Sequence, residues 1–324
     1  MRLRTLSLLL VVTALAGCAQ VLPEGRPTPG SIPATASATP SADPNADPTP
    51  SAEPLPQLTV AAGTTPAEQL LGAVAAQALL TAGVEGVLIP APESNELLEQ
   101  LADGTIAFYP GFTATLLEQN LGGDEPPAPD EVPGVLAAKV GPEISLLQPT
   151  ALDGQLVWAS CAEAEEGQLV FKTWGDIFGA NVDWQTGPTG MVPGFAMTRS
   201  DGVPGVEAVY TPEGSKWNWV QQDDPAARRA ALLSLEATVA AFRAIDYPFL
   251  DGLNVLEDTR GFGMADPVAV LFTSTLADSN PQAVLAVDKV FQAFTAEGFA
   301  QLEAQVVSGQ PAAQVAAAFV ASVG

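Results

Sequence analysis

The chain of 324 residues contains no histidine. That absence removes Ser-His and Cys-His nucleophilic pairs, together with the commonest metal ligand, and with them the easiest chemistries at neutral pH. Cationic side chains are scarce as well: 12 Lys and Arg stand against 37 Asp and Glu, a formal net charge of −25. So acidic a surface repels phosphate backbones and anionic lipid, which excludes nucleic acid as a partner. Cysteine occurs only as Cys18 and Cys161. No repeat of fixed period is visible. The acidic runs Glu163-Ala164-Glu165-Glu166 and Asp223-Asp224 lack the alternating ligand spacing and glycine of a calcium loop and read as solvated faces. No metal and no cofactor is therefore expected. Apolar residues make up 47% of the chain, enough for a substantial core.

The start of the chain carries an export address. Arg2 and Arg4 precede an apolar run from Leu6 to Ala16, which ends in Leu15-Ala16-Gly17-Cys18. A charged start, a short apolar centre and small residues before the cleavage point describe an export signal too short to span a bilayer comfortably. With cysteine at its end, the pattern is that of a bacterial lipoprotein: residues 1–17 are removed and the Cys18 thiol takes the lipid. The plainer reading is a secretory signal with a chance cysteine. Lipidation leaves Cys161 without an intramolecular disulfide partner, and its small neighbours Ala159, Ser160 and Ala162 suggest a small buried residue.

From Ala19 to Pro56 the chain is rich in Pro, Ala, Ser and Thr and holds ten of the 29 prolines. Such a segment cannot bury apolar surface, so residues 18–56 read as a lipidated cysteine and an extended tether. Order begins with a β-rich run at Leu58-Thr59-Val60. Thr65-Pro66-Ala67-Glu68 follows as a capping box with proline at the first helical position. Leu70, Leu71, Val74, Ala78 and Leu79 recur at helical spacing up to Gly83. Val87-Leu88-Ile89 is the next strand, Ser94 caps a second helix through Leu101, Ile106 to Tyr109 is a third strand, and Thr113 opens a third helix. Alternation of this kind predicts a parallel sheet with helices on its faces.

All five tryptophans, Trp158, Trp174, Trp184, Trp217 and Trp219, fall between Leu156 and Val220, which suggests a second lobe with its own core. Thr173 to Asp176 starts a short helix, and Asp224-Pro225 caps a longer one through Leu232, Leu235 and Val239. After Asp246 the pattern of the first lobe returns, with strands at Asn254 to Leu256 and Val268 to Phe272 and then three helices. The expected architecture is α/β, with a first lobe over 57–155, a second over 156–246, and a return to the first over 247–324. Trp217-Asn218-Trp219 puts two indoles on one strand face, as a stacking platform or as core.

Parallel α/β lobes bind ligands beyond the carboxyl ends of their strands. The residues there are Thr64 and Thr65, Tyr109 to Thr115, Gln155 to Trp158, and Asp246. Thr64 and Thr65 sit at a helix N-terminus, which favours an anionic group; simple capping accounts for them equally. The aromatics Tyr109 and Phe112 are open to a core reading.

Several stretches resemble the substrate-binding proteins of ABC transporters for glycine betaine, choline and related quaternary amines. Thr64-Thr65-Pro66-Ala67-Glu68-Gln69 is similar to that family's first turn, and Gly104 to Thr115 to its Gly-x-Ile-Asp-x-Tyr-Pro-Glu-Tyr-Thr-Gly-Thr. Arg199 to Val206 and Val255 to Phe262 continue the likeness in order. The resemblance implies a two-lobed clamshell of the type II periplasmic-binding kind, which closes on a small solute and presents it to a membrane permease. It also implies a monomer, no catalytic role, and an extracytoplasmic place on the membrane. In the family an aromatic cage holds the ammonium while basic and hydroxyl groups hold the carboxylate. By position Phe112 stands for a cage tyrosine, Thr115 for a family hydroxyl, Arg199 for an arginine able to pair a carboxylate or to form a surface salt bridge, and Asp246 for an aspartate near the crossover between lobes.

The departures are specific. Gln155-Leu156-Val157 replaces the usual Asn-x-Tyr, with Trp158 one place later, and Gly261 to Asp266 contains no tyrosine. A good cation–π contact in a dry cage contributes about 2 kcal/mol, so two absent rings would weaken a quaternary-amine site by about a thousandfold. Either Trp158 and others rebuild the cage or the ligand differs. The rival expectations are an amino acid or uncharged osmolyte in the same fold, and an envelope interaction lipoprotein that has lost its ligand.

Overall fold

The computed structural model describes residues 55–121, 131–162, 171–179 and 187–324. The export signal, Cys18, nearly all of the tether, Glu163 to Glu166 and Trp184 lie outside the described residues.

The chain begins with β1 (Gln57–Ala62), α1 (Pro66–Thr81), β2 (Glu85–Pro90), α2 (Ser94–Ala102), β3 (Phe108–Phe112), α3 (Thr113–Leu121), α4 (Val132–Lys139) and β4 (Ile144–Leu146). Next come β5 (Leu156–Cys161), α5 (Trp174–Gly179), β6 (Thr189–Val192), α6 (Val203–Val209), β7 (Asn218–Gln221), α7 (Pro225–Leu233), β8 (Val239–Arg243), α8 (Tyr247–Leu250) and β9 (Leu253–Val255). The last part is β10 (Val268–Thr273), α9 (Leu276–Ser279), α10 (Pro281–Gln292), α11 (Ala296–Val307) and α12 (Ala312–Val323).

These elements form two five-stranded sheets of one plan, β2-β1-β3-β10-β4 and β7-β6-β8-β5-β9. In each, three strands are parallel, joined by helical crossovers, and a fourth runs antiparallel to the third. The antiparallel strands β5 and β10 follow the two segments that cross between lobes. Those segments pair with each other through an antiparallel bridge at Asp153 and Pro267. The Asp266 amide donates to Asp153 Oδ1 at 2.7 Å, and the Gly154 amide to the Asp266 carbonyl at 2.8 Å.

Helix α1 is the keystone of the first lobe. Its capping box forms: the Glu68 amide donates to Thr65 Oγ1 at 3.3 Å, and the Thr65 amide to Glu68 Oε2 at 3.1 Å. Ala67, Leu70, Leu71, Ala73 to Ala75, Ala78 and Leu79 are buried on all sides, between the sheet and helices α10 to α12. A helix apolar all round belongs in an interior, and its alanines allow the neighbours to approach closely. Gly83, at φ +74°, takes the chain out of the helix.

The second lobe has its own aromatic core. Trp158 lies edge-on to Trp174 and Trp219, with ring centroids 5.4 and 5.7 Å away. Trp217 and Trp219 stack at 4.8 Å and are half-buried against this core. Their indole N–H groups donate to Thr211 Oγ1 and Glu207 Oε1.

Several boundaries differ from the sequence expectation. The strand over Leu253–Val255 pairs with β5, so the second sheet extends past residue 246, and the return to the first lobe comes later than position 247. Strand β3 runs on through Pro110 to Phe112, past the expected end at Tyr109, because β10 pairs along its whole length. Pro110 is tolerated since β1 pairs with β3 only at Val60 and Phe108, before the missing N–H would matter. Helix α7 stops at Leu233: Leu235 takes φ +60°, and Val239 begins β8. Helix α2 starts at Ser94 itself, with Glu93 at the cap position and no side-chain capping bond there. Cys161 is half-buried rather than buried.

One buried group sets a pH response. Glu303 on α11 is fully buried, and neither carboxyl oxygen has a hydrogen-bond partner among the described residues. Burial, with the charge of Asp246 adding to it, pushes its pKa up to about 9. The folded state therefore keeps a proton that the unfolded chain releases, so stability present at acid pH is lost as pH rises toward about 9. Glu303→Gln should raise the melting temperature by several degrees at about pH 8 and by little at about pH 5, read by circular dichroism.

Candidate functional site

The carboxyl ends of both sheets border a cavity of about 360 Å³. Tyr109 and Phe112 reach it from β3, and Thr115 and Leu116 from the first turn of α3. Glu68 comes from the start of α1, and Pro92, Glu93 and Leu97 from the segment after β2. The second lobe contributes Arg243, the last residue of β8, and Phe195, in the turn after β6.

Arg243 is the centre of the arrangement. Its guanidinium carbon lies 3.6 Å from the centroid of the Phe112 ring and 4.1 Å from that of Phe195. One ring comes from each lobe, and both distances are well inside cation–π range. Nη1 of Arg243 donates to Asp266 Oδ2 at 3.1 Å and to Thr115 Oγ1 at 3.2 Å.

Behind the cavity lies a sealed ionic cluster. Arg199, 1% exposed, holds Asp201 with two bonds of 2.6 Å, from Nε and Nη2, and reaches Asp266 with Nη1 at 2.5 Å. Burial works against the charge of Arg199, but Asp266 and Asp201 outweigh it, and its proton is held above the ordinary arginine value. The fully buried Asp266 also accepts the Ala114 amide at 2.6 Å, the Thr115 amide at 3.2 Å and the Thr115 hydroxyl at 2.7 Å. It thus caps α3 with a negative charge at the positive end of the helix dipole. Two arginines and two aspartates leave the cluster formally neutral, the condition under which buried charge is tolerated.

The expected site residues divide into three groups. Tyr109, Phe112 and Thr115 line the cavity. Burial, with the charges of Glu68 and Asp266 adding and Arg243 opposing, pushes the Tyr109 hydroxyl well above its ordinary value, so it remains a neutral donor. Gln155, Trp158, Arg199 and Asp246 lie away from the cavity wall. Trp158 is 3% exposed and serves the second lobe's core, so it does not rebuild the cage. Gln155 flanks Gly263. Arg199 gives four of its five N–H donors to Asp201, Asp266 and Thr115 and does not line the cavity, so it is placed neither for a ligand carboxylate nor for a surface bridge. Asp246 is buried and accepts the Arg243 amide at 3.0 Å, fixing the turn that carries Arg243. Burial raises its pKa to about 6, against the Arg243 amide bond and the Arg243 and Arg228 charges. Thr65 is engaged in its capping box, and Thr64 borders a separate shallow depression with Ala62, Leu88, Pro90 and Ala312.

Arg243, Phe195, Glu68 and Glu93 were absent from the sequence expectation. Arg243 had a visible sign, a charged residue closing the otherwise apolar run Val239-Ala240-Ala241-Phe242. Phe195 had a weaker one, a ring in a Pro-Gly turn. Among the described residues there is no cluster of three metal-ligating side chains, and no helix is long and apolar enough to cross a membrane.

Two sheets of one plan, joined by paired crossing segments around a cleft at their carboxyl ends, define the two-lobed solute-binding class. Residues 56–322 match the family described as the substrate-binding domain of the ABC-type glycine betaine transport system, and the chain belongs to it. No curated protein matches the sequence. Among solved structures, a glycine betaine/carnitine/choline ABC transporter protein is 16% identical, with 82% of this chain and 98% of that one covered at a TM-score of 0.64. Lactococcal OpuAC, closed on glycine betaine, is 15% identical over 82% and 96% of the two chains, at 0.60. A choline-binding protein in complex with choline is also 15% identical, over 82% and 88%, at 0.55. At such identities the likeness is one of fold.

Asp266 is expected to be the most sensitive position of the cluster. Asp266→Asn should destabilise the protein by about 3–5 kcal/mol in urea unfolding, because it strands Arg199 and Arg243 without their shared carboxylate. Thr115→Val should cost about 1 kcal/mol.

Proposed function

We propose that this chain is the extracytoplasmic solute-binding component of an ABC importer, which closes its lobes on a small quaternary amine and delivers it to a permease. The observation that carries this reading is the cleft itself. The Tyr109 ring meets there two carboxylates, Glu68 and Glu93, beside Phe112 and Phe195, which hold Arg243 between them. Aromatic faces and carboxylates favour a cation, and the volume suits a small molecule. Family membership supports the same reading. The proposed anchor is lipid on Cys18, with the Pro-rich tether keeping the binding body at high effective concentration near the permease.

Glycine betaine, choline, carnitine and proline betaine form the test panel. Binding at about a hundred times Kd should raise the melting temperature by about 5 °C, and no shift with any of the four at millimolar concentration refutes the quaternary-amine reading. The anchor is tested separately. Cys18→Ala should abolish incorporation of labelled fatty acid and move the protein from the membrane fraction to the medium; label retained by the variant contradicts the anchor.

A further inference from the structure

We propose that Arg243 determines the solute specificity of the cleft. It fills the aromatic sandwich with the protein's own cation and selects ligands that carry a carboxylate. The proposal rests on reading the cleft as a quaternary-amine site and says which members of that class it takes.

With its guanidinium carbon 3.6 and 4.1 Å from the two ring centroids, Arg243 occupies the space between Phe112 and Phe195. A ligand ammonium cannot enter there while Arg243 stays, and Asp266 and Thr115 hold it in place. The ammonium is left with the face of Tyr109 and the carboxylates Glu68 and Glu93.

The donors of Arg243 point to the rest of the ligand. Only Nη1 is engaged, which leaves the N–H groups of Nε and Nη2 without an acceptor among the described residues, on a side chain that is 5% exposed and borders the cavity. These atoms are not among the sealed polar atoms that lack a partner, so they keep some exposure on a residue that lines the cavity, and a planar N–H pair matches the two oxygens of a carboxylate. Arg199 does not compete for that carboxylate, since it lies outside the cavity wall with four of its five donors taken by Asp201, Asp266 and Thr115. A zwitterion therefore satisfies both ends of the cavity, with its carboxylate on Arg243 and its ammonium against Tyr109 and the two glutamates. A cation without a carboxylate leaves the Arg243 donors unmet and adds positive charge beside a fixed positive charge. Betaines are accordingly preferred over choline.

The test is calorimetric titration of wild type, Arg243→Lys and Arg243→Met with glycine betaine, choline and tetramethylammonium. Wild type should bind glycine betaine at least about tenfold tighter than choline, and Arg243→Met should erase that preference and gain about tenfold for tetramethylammonium, which needs only the vacated rings. Arg243→Lys keeps a cation beside Asp266 and so stays folded if the methionine variant does not; it should lose about tenfold for glycine betaine with choline little changed. Equal binding of choline and glycine betaine by wild type overturns the proposal. So does an unchanged ratio in whichever of the variants is folded by circular dichroism. If wild type binds none of the three, the quaternary-amine reading fails. The role of Arg243 is then decided by tetramethylammonium: a gain in a folded variant supports it, and no gain overturns it.

Discussion

The carboxylate of Asp266 is the constraint on which the rest of the molecule depends. It sits just before β10, where the chain returns to the first lobe, and receives the first amides of α3, the Thr115 hydroxyl and one donor from each of two second-lobe arginines. Each contact fixes something different: the N-terminus of the helix that follows Phe112, the return strand, and the two arginines of the second lobe. Desolvating so much charge is costly, and the arrangement holds because each charged side chain of the cluster finds a partner of opposite sign. The aromatic sandwich follows from it. Phe112 is placed by the strand and helix that Asp266 ties together, and Arg243 is placed by Asp266 directly.

The scarcity of cations acquires meaning here. In a chain with 12 Lys and Arg, three arginines, Arg199, Arg228 and Arg243, are buried. Arg199 and Arg243 meet on one aspartate at the crossing between lobes, and Arg228 lies over Phe242 and donates to the carbonyls of Gln222 and Asp223. Carboxylates outnumber cations on the chain about three to one, while the positive charge that faces the cleft is fixed and internal. Two crossing segments hydrogen-bonded to each other form a ribbon, and hinge motion at such a ribbon can be absorbed by bending rather than by breaking bonds.

Much of the fold was legible in the chain because it is written in local physics. The capping box at Thr65, the stop at Gly83 and the alternation of strand and helix each need only neighbouring residues. The places where the reading slipped are those decided at a distance. Strand β3 continues through Pro110 because β10, more than 150 residues later, pairs with it. The short strand at Leu253 belongs to the second sheet because β5 is there to receive it. The site was legible in part for the same reason. Tyr109, Phe112 and Thr115 follow one strand and could be found by position, whereas the cleft partner Phe195 and the role of Arg243 depend on how two lobes meet. Arg199 illustrates the limit: its motif is visible, but its ion pairing with Asp201 and Asp266 is a property of three dimensions.

The shared strand plan of the two sheets has a further meaning for the cleft. Phe112 ends the third parallel strand of one sheet and Arg243 ends the third parallel strand of the other. They are the same address in two halves that show no common sequence period, one written as a ring and the other as a cation. Their contact is like-on-like in position and opposite in chemistry, as at an isologous interface whose halves have been fused into one chain and allowed to diverge. What a solute meets is thus a single structural slot presented twice, with the receptor for a cation in one copy and a cation already supplied by the other.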